Sequence, residues 1–316
     1  MYLSTSSAYV ASMVSLIDLI GKTPLIELKR LPEPGSARVL VKLEYLNPTG
    51  SHKDRIALYM IRRAEREGLL KPGGLVVEAS SGNTAISVAW VARLLGYQAC
   101  VVVDERTAPS KIALLKALGA EVIVAPPVDP EHPMFYRKVA ARIAKERGGV
   151  YLNQFENEAN VQAHYETTAR EIWEQTGGEI DAFVMGVGTG GTITGVGRFL
   201  KEKKPECRVV AAVPRGAALV GGEKGEYIEG LVEHYVPPLL DMSVVDEVRE
   251  VPAKTAIEYM LKLAKEEGVL GGMSTGAHVA VALEVAKELG AGATVVTVAA
   301  DSMFRYSHIV LEALSK

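Results

Sequence analysis

Short, Val-rich apolar runs alternate with helix-length segments along most of this chain, and that alternation narrows its fold more than any other feature. Apolar runs at 39–46, 74–79, 99–103, 121–125, 150–153, 181–187, 208–213 and 294–299 read as strands. Segments of helical character fall among them, at 56–67, 84–95, 110–118, 135–146, 161–175, 192–203, 254–267 and 276–289. Val-rich strands separated by helices predict parallel sheets covered on both faces, joined by right-handed crossovers. The expected class is α/β, and 316 residues are enough for two compact lobes. No fixed-period repeat or low-complexity linker interrupts the pattern. Residues 217–241 are irregular and contain several glycines, which fits a mobile loop over a site.

Four segments leading into a helix carry distinctive residue sets. The first is Asn47-Pro48-Thr49-Gly50-Ser51-His52-Lys53-Asp54-Arg55, which places Lys53 in the first turn of a helix. A lysine there is either an ordinary surface charge, as most helix lysines are, or an amine that forms a Schiff base with a cofactor aldehyde. The second runs from Glu78 through Ser80, Ser81, Gly82, Asn83 and Thr84. Small hydroxyl residues and a glycine at a helix start leave N–H groups free for a carboxylate or phosphate. Simple capping by Ser or Asn is the rival reading. The third is Gly186-Val187-Gly188-Thr189-Gly190-Gly191-Thr192, a glycine-rich helix start that suits a phosphate. Its Gly186, Gly188 and Gly191 also match the dinucleotide fingerprint, which expects an acid after the next strand. Val213-Pro214-Arg215 stands there instead, so a dehydrogenase would have to use Arg215 on the 2′-phosphate of NADP. The fourth is Gly271-Gly272-Met273-Ser274-Thr275-Gly276, whose Ser274 is either a cap or a contact to a ring nitrogen.

Composition excludes several classes. The net charge of -3, with no basic block, argues against nucleic acid as the main ligand. No signal peptide and no membrane span is read, so the cytoplasm is the expected location. Cys100 and Cys207 make no metal or disulfide pattern, and Cys100 reads as packing. The six histidines have no ligand spacing, so no metal is expected, and His164 and His308 read as surface or capping residues. Asn occurs five times and Gln four, amid plentiful Glu, Lys and Arg, which suits a thermophile. All five Asn fall in three short segments: Asn47, Asn83, and Asn153 with Asn157 and Asn160.

Taken together, the four motifs resemble those of the cysteine synthase and cystathionine β-synthase family, pyridoxal 5'-phosphate (PLP) enzymes of fold type II. The resemblance runs from about Leu19 to about Tyr306 and includes Gly21-Lys22-Thr23-Pro24, Gln154-Phe155-Glu156-Asn157, Ala163-His164-Tyr165 and Glu171-Ile172-Trp173. It implies that Lys53 binds PLP through its amine and that Asn83 lies beside the PLP 3′-oxygen. It further implies that Gly188, Thr189, Gly190, Gly191 and Thr192 cradle the PLP phosphate and that Ser274 meets the pyridine nitrogen. Ser80, Ser81, Gly82, Thr84 and Gln154 match positions that bind the substrate carboxylate. The implied reaction is β-replacement: an activated serine loses its leaving group to give an α-aminoacrylate, and sulfide or a thiol adds. A serine at the ring nitrogen, unlike an aspartate, does not enforce its protonation.

The resemblance also implies a homodimer of two-lobed subunits, without nucleic acid or membrane partners. Residues 46–157 would form the smaller, mobile lobe. Residues 21–45 and 158–316 would form the larger lobe, with 1–20 an extension that contacts the dimer partner. Departures from the family pattern concern the substrate. Ala85 stands for a common Gly, His52 for Val, and Val213-Pro214 for Glu-Pro, while 227–237 lacks the Gly-Ile-Gly of O-acetylserine enzymes. Arg215 and Lys224 lie in this variable region, where two cations would suit O-phosphoserine. The alternatives are cystathionine formation from serine and homocysteine, serine/threonine dehydration, an NADP dehydrogenase, and a silent PLP-fold binding protein. Dehydration is disfavoured because the asparagine loop reads Ser-Gly-Asn-Thr and lacks a terminal His.

Overall fold

The computed structural model describes residues 15–315. Among the described residues, ten strands form two sheets. The six-stranded sheet has the order β1-β2-β10-β7-β8-β9, and the four-stranded sheet the order β5-β4-β3-β6. The strands are β1 (Leu25–Glu27), β2 (Arg38–Lys42), β3 (Leu75–Ala79), β4 (Gln98–Asp104), β5 (Glu121–Ala125), β6 (Val150–Tyr151), β7 (Ala182–Gly186), β8 (Arg208–Pro214), β9 (Glu247–Val251) and β10 (Thr294–Val298). Every pairing is parallel except β1 with β2. Strands β3, β7 and β10 are buried at every position, as strands covered on both faces must be. Two strands escape the sequence reading. They are β1 and β9, three and five residues long, half-buried and at the sheet edges, where neither apolar run nor alternation is required.

The helices are α1 (Lys53–Arg66), α2 (Asn83–Leu94), α3 (Pro109–Ala117), α4 (Tyr136–Arg147), α5 (Glu158–Ala163), α6 (Ala169–Thr176), α7 (Gly191–Lys203), α8 (Ala253–Lys262), α9 (Met273–Leu289) and α10 (Ser307–Leu314). Helix α1 buries Ile56, Ala57, Met60, Ile61 and Ala64, one face of a 3.6-residue period. These residues pack with α2 and strands β3 and β4 in one core. The segment expected as one helix over 161–175 is longer and broken. Five residues, His164–Thr168, form a π-helical turn between α5 and α6.

Topology places the site. Each sheet has one point where the strand order reverses. In the four-stranded sheet it lies between β3 and β6, and in the six-stranded sheet between β7 and β10. Ligands of open α/β sheets bind beyond the carboxyl ends of the strands at such points. The turns that leave those four strands are Ser80–Asn83, Leu152–Gln154, Val187–Gly190 and Ala299–Asp301. An isolated antiparallel bridge between Ser51 and Asp301 joins the start of α1 to the end of β10.

Candidate active site

Lys53 is the first residue of α1, with His52 at the N-cap. Its side chain lines a cavity shared with Asn83, Gly188, Thr189, Gly190, Thr192 and Ser274. Those residues come from four turns widely separated in sequence. His52, Gly230, Leu231, His278 and Asp301 complete much of the wall. Burial lowers the Lys53 pKa to about 8, against the opposing pull of the carboxylates of Asp301 and Glu78. A surface lysine would keep its proton until far more alkaline pH, whereas this amine is half-deprotonated at about pH 8. Glu78 is fully buried, and that burial pushes its carboxyl up to about 8.

The glycines at 188–191 are required by close packing. A Cβ on Gly188 would lie 2.7 Å from the carbonyl oxygen of Gly230, and one on Gly190 2.7 Å from the amide nitrogen of Leu240. At Gly191 it would overlap the amide of Asn160. Gly190 also has φ +84°, where side chains are strained. The N-cap Gly190 offers no side chain to α7, and the Gly191 N–H makes a long bond of 3.4 Å to Thr189 Oγ1, at a thirteen-residue helix start that suits an anion. Asn160 ties this loop to the neighbouring one. Its Nδ2 donates to the Gln154 carbonyl oxygen at 2.8 Å and to Thr189 Oγ1 at 2.9 Å.

The Ser80–Thr84 turn lies alongside. No side chain caps α2, which begins at Asn83. The hydroxyls are engaged with one another and their surroundings. Thr84 Oγ1 donates to Gln154 Oε1 at 2.6 Å, Thr107 Oγ1 to Ser81 Oγ at 2.7 Å, and the Gly82 N–H to Ser80 Oγ at 3.2 Å. Of this group only Asn83 lines the cavity; Ser80, Ser81, Gly82, Thr84 and Gln154 do not. Ser274 is the second residue of α9, whose N-cap is Gly272, so it does not cap that helix. Arg215 and Lys224 are exposed and do not line the cavity. Arg215 pairs with Glu226.

Several groups at the site escape sequence reasoning. Asp301 follows β10, accepts from Asn83 Nδ2 at 2.7 Å and from the Tyr306 hydroxyl at 2.5 Å, and has Oδ1 without a protein partner. Only the strand order marks it, because no local motif surrounds it. His164 is wholly buried, contrary to its reading as a surface or capping residue. It bridges Thr168 Oγ1 at 3.0 Å and Thr192 Oγ1 at 3.1 Å, and burial holds its pKa at about 3. His308 is exposed. Among the described residues no cluster of three His, Cys, Asp or Glu is arranged to hold a metal ion.

A second buried constellation lies just beyond Lys53 on α1. Arg55 Nε and Nη2 each reach Glu44 at 2.7 Å, while Nη1 and Nη2 reach Glu171 at 2.7 and 2.8 Å. Lys42 Nζ meets Glu171 at 2.7 Å. Burial works to raise the Glu171 carboxyl, but Arg55 and Lys42 outweigh it and hold the pKa at about 2.

The family model described as pyridoxal-phosphate dependent enzyme matches residues 16–301. The chain belongs to this family. Cysteine synthases of five Staphylococcus aureus strains are each 43% identical to it over 295 residues, covering 92% of this chain and 94% of theirs. Among solved structures, O-ureido-L-serine synthase superposes with a TM-score of 0.88 at 38% identity, covering 93% of both chains. An O-ureido-L-serine-bound lysine-to-alanine mutant of that enzyme superposes with a TM-score of 0.86, also at 38% identity. The family's fold, two mostly parallel sheets flanked by helices, is the one described above. As a member, this protein depends on PLP. Its cavity suits that group: a buried amine whose pKa is lowered to about 8, a glycine-rich helix start, and a buried oxygen of Asp301 lacking a protein partner.

Proposed function

We propose that this protein makes L-cysteine from an activated serine, O-acetylserine or O-phosphoserine, and sulfide by PLP-dependent β-replacement. One observation carries the reading: a buried Lys53 amine with a pKa of about 8 shares one cavity with the glycine loop, Asn83 and Ser274. The similarity to cysteine synthases supports it. When bound, PLP supplies an electron sink for a carbanion at the substrate Cα. Lys53 would hold its aldehyde, the α7 N-terminus with Thr189 and Thr192 its phosphate, Asn83 its 3′-oxygen and Ser274 its ring nitrogen. The free N–H groups at the start of α2, with Ser80, Ser81, Thr84 and Gln154, would hold the substrate carboxylate.

Lys53 removes the Cα proton. Its pKa, lowered to about 8, brings the unprotonated amine that a general base requires within reach at mildly alkaline pH. Asp301 anchors Asn83 and Tyr306, and its partial charge keeps the Lys53 pKa from falling further. Residues 46–157 act as a smaller lobe that closes over the carboxylate and excludes water from the reacting carbon. Loop 217–241 covers the opposite side. For a phosphorylated donor, Arg215 would exchange Glu226 for the substrate phosphate, or Lys224 would turn inward. The working unit is a cytoplasmic homodimer, and the scarcity of amides points to a thermophilic source.

The test is cysteine formation from each donor with sulfide. Native protein should form cysteine, and Lys53→Ala should lose about 10²–10⁴-fold in kcat. A native protein that binds PLP yet forms no cysteine from either donor refutes the reading. Comparing kcat/KM on both donors in Arg215→Ala and Lys224→Ala identifies the leaving group; equal loss on both, or none, removes these cations from recognition.

A further inference from the structure

Loop 217–241 is attached to both parts of the chain, and the two attachments differ in kind. On the side of the six-stranded sheet they involve backbone groups. The Val232 N–H donates to the Val187 carbonyl oxygen at 2.8 Å, and the Glu226 N–H to that of Arg215 at 2.9 Å. The Ala253 N–H donates to Glu226 Oε2 at 2.6 Å. These bonds fix the loop to the ends of β7 and β8 and the start of α8.

Toward residues 46–157 the loop reaches out through side chains. Glu229 Oε1 accepts from Lys111 Nζ of α3 at 2.6 Å, and the Lys111 and Glu229 side chains are 32% and 22% exposed. Six residues on, Tyr235 lies against Arg137 of α4. The Arg137 guanidinium carbon is 5.8 Å from the Tyr235 ring centroid and 4.5 Å from that of Phe155. The Phe155 and Tyr235 rings are themselves 6.3 Å apart. Phe155 follows Gln154, one of the residues assigned above to the substrate carboxylate. Between the two contacts, Gly230 and Leu231 line the cavity. A half-exposed ion pair and a guanidinium over aromatic rings are weak bonds, of a size that a moving part can break and remake.

We propose that Lys111 with Glu229, and Arg137 with Tyr235, are two latches that hold the smaller lobe shut against loop 217–241. The inference rests on the lobe closure proposed above and identifies its seam. None of the four side chains lines the cavity, so they are positioning residues. Helices α3 and α4 lead into and out of β5, in the same four-stranded sheet, so one movement of that sheet breaks both latches. The backbone bonds to Val187 and Arg215 keep the loop with the larger lobe. Closure thereby brings the Gln154 turn and the Gly230 wall together in one step. Each latch should shift the ratio of closed to open forms about two- to fivefold.

Backbone amide exchange in the holoenzyme, read by mass spectrometry, tests the seam without turnover. Lys111→Ala and Tyr235→Leu should each speed exchange about two- to fivefold in 152–157 and 229–236, with β7 unchanged. Tyr235→Phe, which keeps the ring, should match native protein. KM for the amino-acid donor should rise in the same proportion, and the two effects should multiply in the double variant. Lys111→Glu combined with Glu229→Lys remakes the pair and should return both readouts toward native. Unchanged exchange in both single variants overturns the proposal. Equal acceleration in β7 does so too, because it marks general loosening. A raised KM with native exchange would make these side chains substrate contacts, and a charge-swapped protein no closer to native than Lys111→Ala would deny the pair; either result also overturns it. If native holoenzyme makes no cysteine, the proposed function fails, while the exchange measurement still decides the latches.

Discussion

Replacing Arg55 with methionine is the sharpest test of how the site is held. Arg55 is buried, and it bonds two carboxylates, Glu44 with no exposed surface and Glu171 with little. With Lys42 the four charges sum to zero. Methionine fills much of the same volume but leaves two carboxylates facing a single Lys42. Breaking a buried pair by removing one partner costs about 3–5 kcal/mol, because the remaining charge is desolvated and uncompensated. Unfolding entropy of ~2.1 cal/mol/K per residue gives about 0.66 kcal/mol/K for this chain, so Tm should fall by about 5–8 °C. The deficit should depend on pH. In native protein, burial alone would raise the Glu44 pKa, but Arg55 lowers it overall. That lowered pKa contributes stability present above the unfolded value and lost in acid. In Arg55→Met the Glu44 pKa should rise, so its penalty vanishes below the unfolded value and grows as pH increases. Thermal melts of native protein and variant at pH 4.5 and 7.5 should therefore diverge most at pH 7.5. A double variant with Glu44→Gln should recover at least ~1 kcal/mol relative to additivity. A loss under ~1 kcal/mol at pH 7.5, or a gap that widens in acid, would refute the reasoning.

Three further outcomes follow from the geometry. Asp301→Asn removes a carboxylate that raises the Lys53 pKa, so in apoprotein the pH midpoint for acylation of Lys53 should fall below about 8; an unchanged midpoint would show that Asp301 does not act on the amine. Glu78 has a folded pKa raised to about 8, so it contributes stability only at low pH, and that contribution is lost as pH rises through the window from 4.5 to 8. Glu78→Gln should accordingly raise the Tm of apoprotein at pH 8 more than at pH 5, and equal effects at both would contradict the assignment. Gly191→Ala drives a methyl into the Asn160 amide and disturbs the link from Gln154 to Thr189, so PLP affinity should fall at least about tenfold by equilibrium titration, whereas Gly82→Ala, with open space around the Cβ, should retain its fold.

Sequence revealed the site unevenly, for physical reasons. Lys53, Asn83, the glycine loop and Ser274 were legible because each sits at the start of a helix, where special backbone needs leave glycines, hydroxyls and amides in a row. Helix α1 was legible from its apolar spacing. Asp301 was not, because its importance comes from β10 lying beside β7, a non-local pairing. His164 was misjudged because a histidine's role depends on what surrounds each nitrogen. The Arg55 cluster draws on residues 23, 42, 44 and 171, and nothing local couples them. The π-helical turn left no periodic trace, since its apolar positions still fit a helix.

That turn has a consequence for how the chain tolerates length changes. One extra residue at His164–Thr168 rotates everything after it by about 100° relative to an unbroken α-helix. Before it Asn160, and at its first residue His164, bond to the phosphate loop; after it, Glu171 meets Arg55. A straight helix could serve one of these faces only. Gly195 of α7 packs against the turn so closely that a Cβ would overlap the Val161 carbonyl oxygen. Losing a single residue here would thus unhook the buried charges from the cofactor loop without altering either set of side chains, which makes this segment intolerant of deletion even where substitutions are harmless.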